Sequence, residues 1–221
     1  METPSGEPPS EYSSPCLWKP QACAIVTTLA YLVLARFSLL FVVQPEQIAG
    51  FWLPNGLLIG VMLQRKRQEW RWLLVGGGAA NLIANLWSGN SLGLSVGFAA
   101  ANVVESWLAS WALVRYAGLP ITLCRLREVF GFVAVASIPA CACSAVLGAA
   151  LLSFGSPGPM FWPVWRVWIV ADLLGLMLMT PLLIAWNTSG ALAVRLLSRA
   201  RWAEAVGLLA LLLGADRKSV V

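Results

Sequence analysis

Residues 22–43 read ACAIVTTLAYLVLARFSLLFVV, an apolar run of 22 residues whose single charge is Arg36. A helix of roughly 20 such residues covers the hydrocarbon core of a bilayer. The run is long for a signal-peptide core, the flank before it carries three acids against the single Lys19, and Gln44-Pro45-Glu46-Gln47 is a poor cleavage site. It therefore reads as a retained first transmembrane helix. The residues before it, METPSGEPPSEYSSPCLWKPQ (1–21), are rich in Pro, Ser and Glu, cannot bury a core, and are expected to form a disordered cytoplasmic tail.

Downstream, apolar runs recur at Ile48 to Leu63, Trp72 to Trp87, Leu92 to Tyr116, Val129 to Phe154, Phe161 to Trp186 and Trp202 to Gly214. The expected fold is an all-α polytopic transmembrane bundle over residues 22–214. Hydrophobic residues make up 59% of the 221 and charged ones only 11%, with a mean hydropathy of +0.76. That leaves too little polar surface to coat a soluble globule, and no length for a separate soluble domain.

The net charge of +5 does not point to nucleic acid, because the basic residues sit in short clusters between apolar runs. They are Arg65-Lys66-Arg67 with Arg71, then Arg115, Arg125 and Arg127, then Arg195, Arg199 and Arg201. These are alternate loops, whereas Gln44 to Gly50, Ser88 to Ser91 and Gly155 to Met160 carry no Lys or Arg. The positive-inside rule then places the amino terminus in the cytoplasm and the bare loops outside. Seven spans from an inside start end outside, where the short tail 215–221 (ADRKSVV) is basic against the rule. The expectation is a chain cut short of an eighth helix, with a natural seven-span protein as the alternative.

Histidine is absent, which removes the usual haem ligand, the commonest zinc ligand and the commonest general base near neutral pH. There is no HExxH, CxxC, P-loop or G-x-S-x-G pattern. The five cysteines, Cys16, Cys23, Cys124, Cys141 and Cys143, read as small, free packing residues. No cofactor, metal or catalytic centre is expected.

A charge inside the bilayer costs about 2.5–3.5 kcal/mol on insertion scales, so each one needs a partner, a wet cavity or an escape to the interface. Arg36 and Arg166 are near enough to the outer ends of their spans to snorkel, or else pair with acids or an anion. Glu105 and Asp172 fall near mid-membrane and are too short to snorkel far. They mark a polar network inside the bundle, or, protonated, they only tie helices together. Asp172 shares a helix face with Phe161, Trp165, Trp168, Gly175 and Met179, and Glu105 shares one with Asn102. Asn81 and Asn85, four apart, suit interhelical hydrogen bonds. Pro54 and Gly56 in Trp52-Leu53-Pro54-Asn55-Gly56 interrupt the second span, giving a kink or freeing backbone groups for a ligand.

Taken in order, these landmarks resemble the membrane-associated sensor domain of the first class, the MASE family of bacterial signalling receptors. The matching stretches are Phe51-Trp52-Leu53-Pro54-Asn55-Gly56, Gly76 to Asn85, and Asn102-Val103-Val104-Glu105. A fourth is Trp165-Arg166-Val167-Trp168 with Asp172, Gly175, Thr180 and Pro181. The resemblance implies an eight-helix input domain in the bacterial inner membrane, feeding a cytoplasmic effector in cis or in trans, either a histidine kinase or a cyclic-di-GMP module. It also implies a transporter-like membrane protein as a candidate partner, and a homodimer is a further candidate. The chain departs from the pattern in lacking the last helix and any output module.

On this reading an unknown stimulus biases two arrangements of the bundle, and Trp52, Pro54, Asn102, Glu105, Trp168 and Asp172 are the candidate lining of the signal site. The alternative is a small carrier using Glu105 and Asp172. Carriers commonly show repeats with paired broken helices, and only one such interruption, at Pro54, is found.

Overall fold

The computed structural model describes residues 19–44, 48–155 and 161–196. Helix α1 (Pro20–Ser38) begins with Pro20 in its first turn, where the missing N–H costs nothing. Its inward stripe is Cys23, Thr27, Tyr31, Ala35 and Ser38, and Ile25, Leu29, Val33 and Phe37 are exposed on the other side. The polar groups therefore face the protein and the aliphatic ones face outward, the polarity of a helix whose solvent is lipid.

The apolar run continues to Val43, but the helix stops at Ser38. The chain turns and forms a small antiparallel hairpin, β1 (Val42–Val43) with β2 (Ile48–Ala49), in the register Val42↔Ala49 and Val43↔Ile48. β-Branched residues suit this pairing. Phe41 packs against Phe37 and Phe51, with ring centroids 5.3 and 5.1 Å apart.

The expected second span, 48–63, divides in the same way: strand β2, then helix α2 (Leu53–Met62) with Pro54 in its first turn. Pro54 thus starts a helix and does not kink one. At 10 residues α2 is about 15 Å long, half a bilayer. It is buried on nearly every side, from Pro54 to Gly60 and again at Met62, as a short helix at membrane depth must be.

A 3-10 turn (Arg67–Glu69) leads into α3 (Trp70–Trp87), and Trp70 Nε1 donates to the Met62 carbonyl at 2.7 Å. Arg65, buried, pairs with Glu69 at 3.5 Å. Helix α4 (Leu92–Ala117) is capped by Ser91, whose hydroxyl accepts from Leu94 N. Then Glu128 gathers the loop before it, accepting from Thr122 N, Thr122 Oγ1 and Leu123 N at 2.7–2.9 Å.

Helix α5 (Leu126–Phe130) runs through a π-helical segment (Gly131–Ser137) into α6 (Ile138–Gly155). Pro139 gives the reason for the π turns: it lacks the N–H that would bond four residues back, and its ring crowds the carbonyl of Val135. Helix α7 spans Phe161–Leu196 with Pro181 inside it. Residues to Ile184 belong to one compact unit, and Ala185–Val221 to a second, which includes the end of α7.

Among the described residues, four segments are long and apolar enough to cross a membrane: α1, α4, residues Leu126–Ser153 and residues Phe161–Trp186. The protein is an all-α, multi-pass helical bundle. The expected seventh span, Trp202 to Gly214, lies outside the described residues.

Within the first unit α2 and α7 meet backbone to backbone. Gly56 and Gly175 make this possible: a Cβ on Gly56 would strike the Gly175 carbonyl, and one on Gly175 would strike the Trp52 carbonyl. Trp52 N donates to Ala171 O (3.0 Å), Thr180 Oγ1 to Gly56 O (3.0 Å) and Gln64 Nε2 to Leu183 O (3.3 Å).

Candidate functional site

Where α2 begins beside α7, a cavity of about 60 Å³ lies between the β2 strand and helices α3, α4 and α7. Its polar lining is Asn85, Asn90, Asn102 and Asp172; its aromatic lining is Trp52, Phe98 and Trp168; Leu39, Ile48, Ala49 and Ala171 complete it. No Lys or Arg contributes. Trp168 and Phe98 meet edge to face at 5.3 Å.

A directional relay of amides runs from one wall of this cavity to another. Asn90 Nδ2 donates to Asn85 Oδ1 (3.0 Å), Asn85 Nδ2 to Asn81 Oδ1 (2.9 Å), and Asn81 Nδ2 to the Tyr31 hydroxyl (3.1 Å). Tyr31 then donates to Asn55 Oδ1 (2.8 Å), Asn55 Nδ2 to Asn102 Oδ1 (2.7 Å), and Asn102 Nδ2 to Phe98 O (2.8 Å). Trp52 Nε1 also donates to Asn55 Oδ1 at 3.3 Å. The relay ties α3, α1, α2 and α4 together, and chains of this kind polarise their members and fix one arrangement of the core.

One turn along α4 from Asn102, Glu105 belongs to a separate acidic cluster. Ser144 Oγ lies 2.5 Å from Glu105 Oε2, 3.1 Å from Asp172 Oδ2 and 3.1 Å from the Cys141 carbonyl, and Cys141 Sγ donates to Glu105 Oε1 at 3.8 Å. Glu105 is wholly buried and Asp172 is 3% exposed. A serine oxygen donates one hydrogen, and a carbonyl has none to give. Ser144 therefore has one hydrogen for three neighbouring oxygens. Neither acid has an ion-pair partner among the described residues.

Trp168 Nε1, one turn before Asp172, is buried and faces the Asp172 carboxyl as a weak donor, without a bond of good geometry among the described residues. Its six-membered ring sits on Gly148, where a Cβ would strike Cε3, Cζ3 and Cη2. The opposite, N–H-bearing edge is thereby turned toward the Asp172 side.

The MASE1 family profile matches residues 23–215. The chain belongs to the MASE1 family. No curated protein and no solved structure matches it. MASE1 domains are membrane sensory input domains of signalling receptors, so the role of this one is sensory input.

Of the residues singled out from sequence, this MASE1 domain brings Trp52, Asn102, Trp168 and Asp172 to the cavity wall. Glu105 stands behind Asp172, reached through Ser144. Pro54 is buried in the first turn of α2 and does not line the cavity. Asn81 and Asn85 do make interhelical bonds, through Tyr31 and its neighbours. Arg36 reaches neither acid: it donates to Ser88 Oγ at 2.6 Å, lies over Trp87 at 4.9 Å and serves the carboxyl end of α3. Arg166 is exposed. Cys23 and Cys141 are buried, Cys124 and Cys143 exposed, and all four are free thiols; Cys16 lies outside the described residues.

Sequence reasoning missed Tyr31, Asn55, Phe98 and Ser144 as members of the site. Asn55 carried a signal, lying inside the Trp52–Gly56 stretch. Tyr31 and Ser144 stand alone in apolar runs and gave none.

Proposed function

We propose that this MASE1 domain reads its stimulus at the cavity bounded by Trp52, Asn102, Trp168 and Asp172, and passes it through α7 to a cytoplasmic effector, in cis or in trans. The observation that carries the reading is the backbone bond from Trp52 N to Ala171 O. One residue at the mouth of the cavity is thereby locked to the helix that holds Asp172. Anything entering beside Trp52 or Asp172 with different affinity for two placements of α2 on α7 shifts their populations. Glu105 and Pro54 act at one remove, the first by holding Asp172 through Ser144, the second by fixing where α2 starts.

In this proposal the domain sits in a bacterial inner membrane with its amino terminus in the cytoplasm, which puts the hairpin, the α3–α4 turn and the cavity mouth on the outer side. The alternation of basic and bare loops supports that orientation. The test is Asp172→Asn in an intact receptor: an altered stimulus response with unchanged membrane insertion is expected, and normal signalling defeats the assignment. Reporter fusions at Ser88 and at Lys66 test the orientation, the first expected outside and the second inside.

A further inference from the structure

We infer that a groove between α1 and α3, which shares no residue with the cavity, is a site for an anionic membrane phospholipid. Arg71 and Lys19 take the phosphate, and the groove takes part of one acyl chain. The site is independent of the sensory reading, and only its leaflet, the cytoplasmic one, follows from the orientation proposed above.

Helices α1 and α3 run side by side in the same direction, with Thr28 against Gly76 and Arg36 against Ala84 and Ser88. At Gly76 they come so close that a Cβ would strike Thr28 Oγ1. Beside that contact lies a groove of about 340 Å³, walled by Gln21, Ala24, Ile25 and Leu29 of α1 and by Trp72 and Val75 of α3. Ile25, Leu29, Trp72 and Val75 are each more than half exposed, so no other described element covers it. Thr28 spends its hydroxyl on Ala24 O at 2.8 Å, which leaves the floor apolar. From Gln21 to Leu29 the helix rises about 12 Å, against roughly 15 Å for half of a bilayer's hydrocarbon core. The groove therefore has the length of an acyl chain's path through one leaflet.

The end of the groove where both helices begin is basic. The Arg71 guanidinium lies 5.1 Å from the centroid of the Trp72 ring, itself a wall of the groove, which holds the cation at the mouth. Glu69, the acid nearest to Arg71 in the chain, pairs with Arg65, and Arg71 has no acid partner among the described residues. Lys19 caps α1 two residues before Gln21 and likewise has none. The first N–H groups of α1 add partial positive charge at the same end. No Asp or Glu lines the groove.

A phosphodiester matches the forked donors of Arg71. Two cations without an acid select a headgroup of net negative charge over phosphocholine, whose own cation they would repel. A free anion would leave the apolar floor unused, and a plain hydrocarbon would leave Arg71 and Lys19 unpaired. An anionic amphiphile meets both demands, and basic pockets between transmembrane helices on the cytoplasmic side are where such headgroups bind.

The experiment is native mass spectrometry on the full chain in detergent, with dioleoyl phosphatidylglycerol or dioleoyl phosphatidylcholine added at equal concentration. The two lipids differ only in headgroup. Phosphatidylglycerol is expected to bind at least about fivefold more tightly, and Lys19→Gln with Arg71→Gln to remove that preference. Arg115→Gln with Arg125→Gln, the same loss of charge on exposed residues of another loop, is expected to change it less than about twofold. Val75→Trp, which fills the groove from an exposed position, is expected to weaken both lipids. Equal binding of the two lipids to the native chain overturns the inference and needs no variant to fold. So does an unchanged preference in the Lys19 and Arg71 variant, an equal loss in the Arg115 and Arg125 variant, which would make the effect one of net charge, or unchanged binding in Val75→Trp. Retention of neither lipid also overturns it, and would mean that another segment of the chain occupies the groove.

Discussion

Glu105 on α4 and Asp172 on α7 are joined by the single hydroxyl of Ser144 on α6, at 2.5 and 3.1 Å. Three helices thus share one hydrogen-bonding centre, in which one hydroxyl hydrogen serves two carboxyls. Asp172→Asn keeps an oxygen for Ser144 and adds amide hydrogens for its neighbours, and is expected to change stability by less than about 1 kcal/mol. Asp172→Ala strips a partner from buried Ser144 and Glu105 and is expected to cost about 1–3 kcal/mol. Unfolding in mixed micelles measures both. Equal effects would show that the bridge contributes nothing to the bundle.

Tyr31 is the hinge of the amide relay, accepting from Asn81 and donating to Asn55 across three helices. Tyr31→Phe keeps the ring and deletes both bonds. Interhelical hydrogen bonds in membranes average about 0.6 kcal/mol, so a loss of about 1 kcal/mol is expected. The Tyr31→Phe and Asn55→Ala effects should also be non-additive, because they break the same link. Additive losses in a double-mutant cycle would mean that the relay does not act as a unit.

The long spans were legible because hydropathy is a property of composition, and residues 92–116 and 161–186 needed no partner to declare themselves. The hairpin and the short α2 were not: residues 48–63 are apolar but for Asn55, and such a run shows neither the period of two nor the period of 3.6 that separates strand from helix. The site divides the same way. Asn102, Glu105 and Asp172 stood out because polar groups are costly in apolar runs, but Ser144 lies 39 residues from Glu105 and Tyr31 lies 24 from Asn55. A partner at that distance is defined by packing alone.

Pro54 separates the two readings of the Trp52–Gly56 stretch by experiment. A proline that kinks a span removes an interior hydrogen bond, whereas one in the first turn replaces an N–H with no helical partner. With Pro54 in the first turn of α2, Pro54→Ala is expected to shift stability by less than about 1 kcal/mol, mostly through the greater freedom of the unfolded chain. The cavity beside Trp52 should remain intact. A loss of several kcal/mol would restore the interrupted-span reading.

Gly175 and Gly93 give the sharpest contrast. Both are helical, but a Cβ on Gly175 would collide with the carbonyl of Trp52, whereas one on Gly93 meets nothing within 4 Å. In Gly93→Ala only helix propensity changes, so a gain of up to about 1 kcal/mol is expected. In Gly175→Ala the collision is with backbone, so α2 must withdraw from α7, lengthening the Trp52 N to Ala171 O bond that ties the start of α2 to α7. A loss of about 2 kcal/mol or more is expected, in the range of overpacked cores, together with a receptor held in one signalling state regardless of stimulus. A stable Gly175→Ala protein with a normal response would show that α2 and α7 can separate without consequence, and that the signal leaves the cavity by another route.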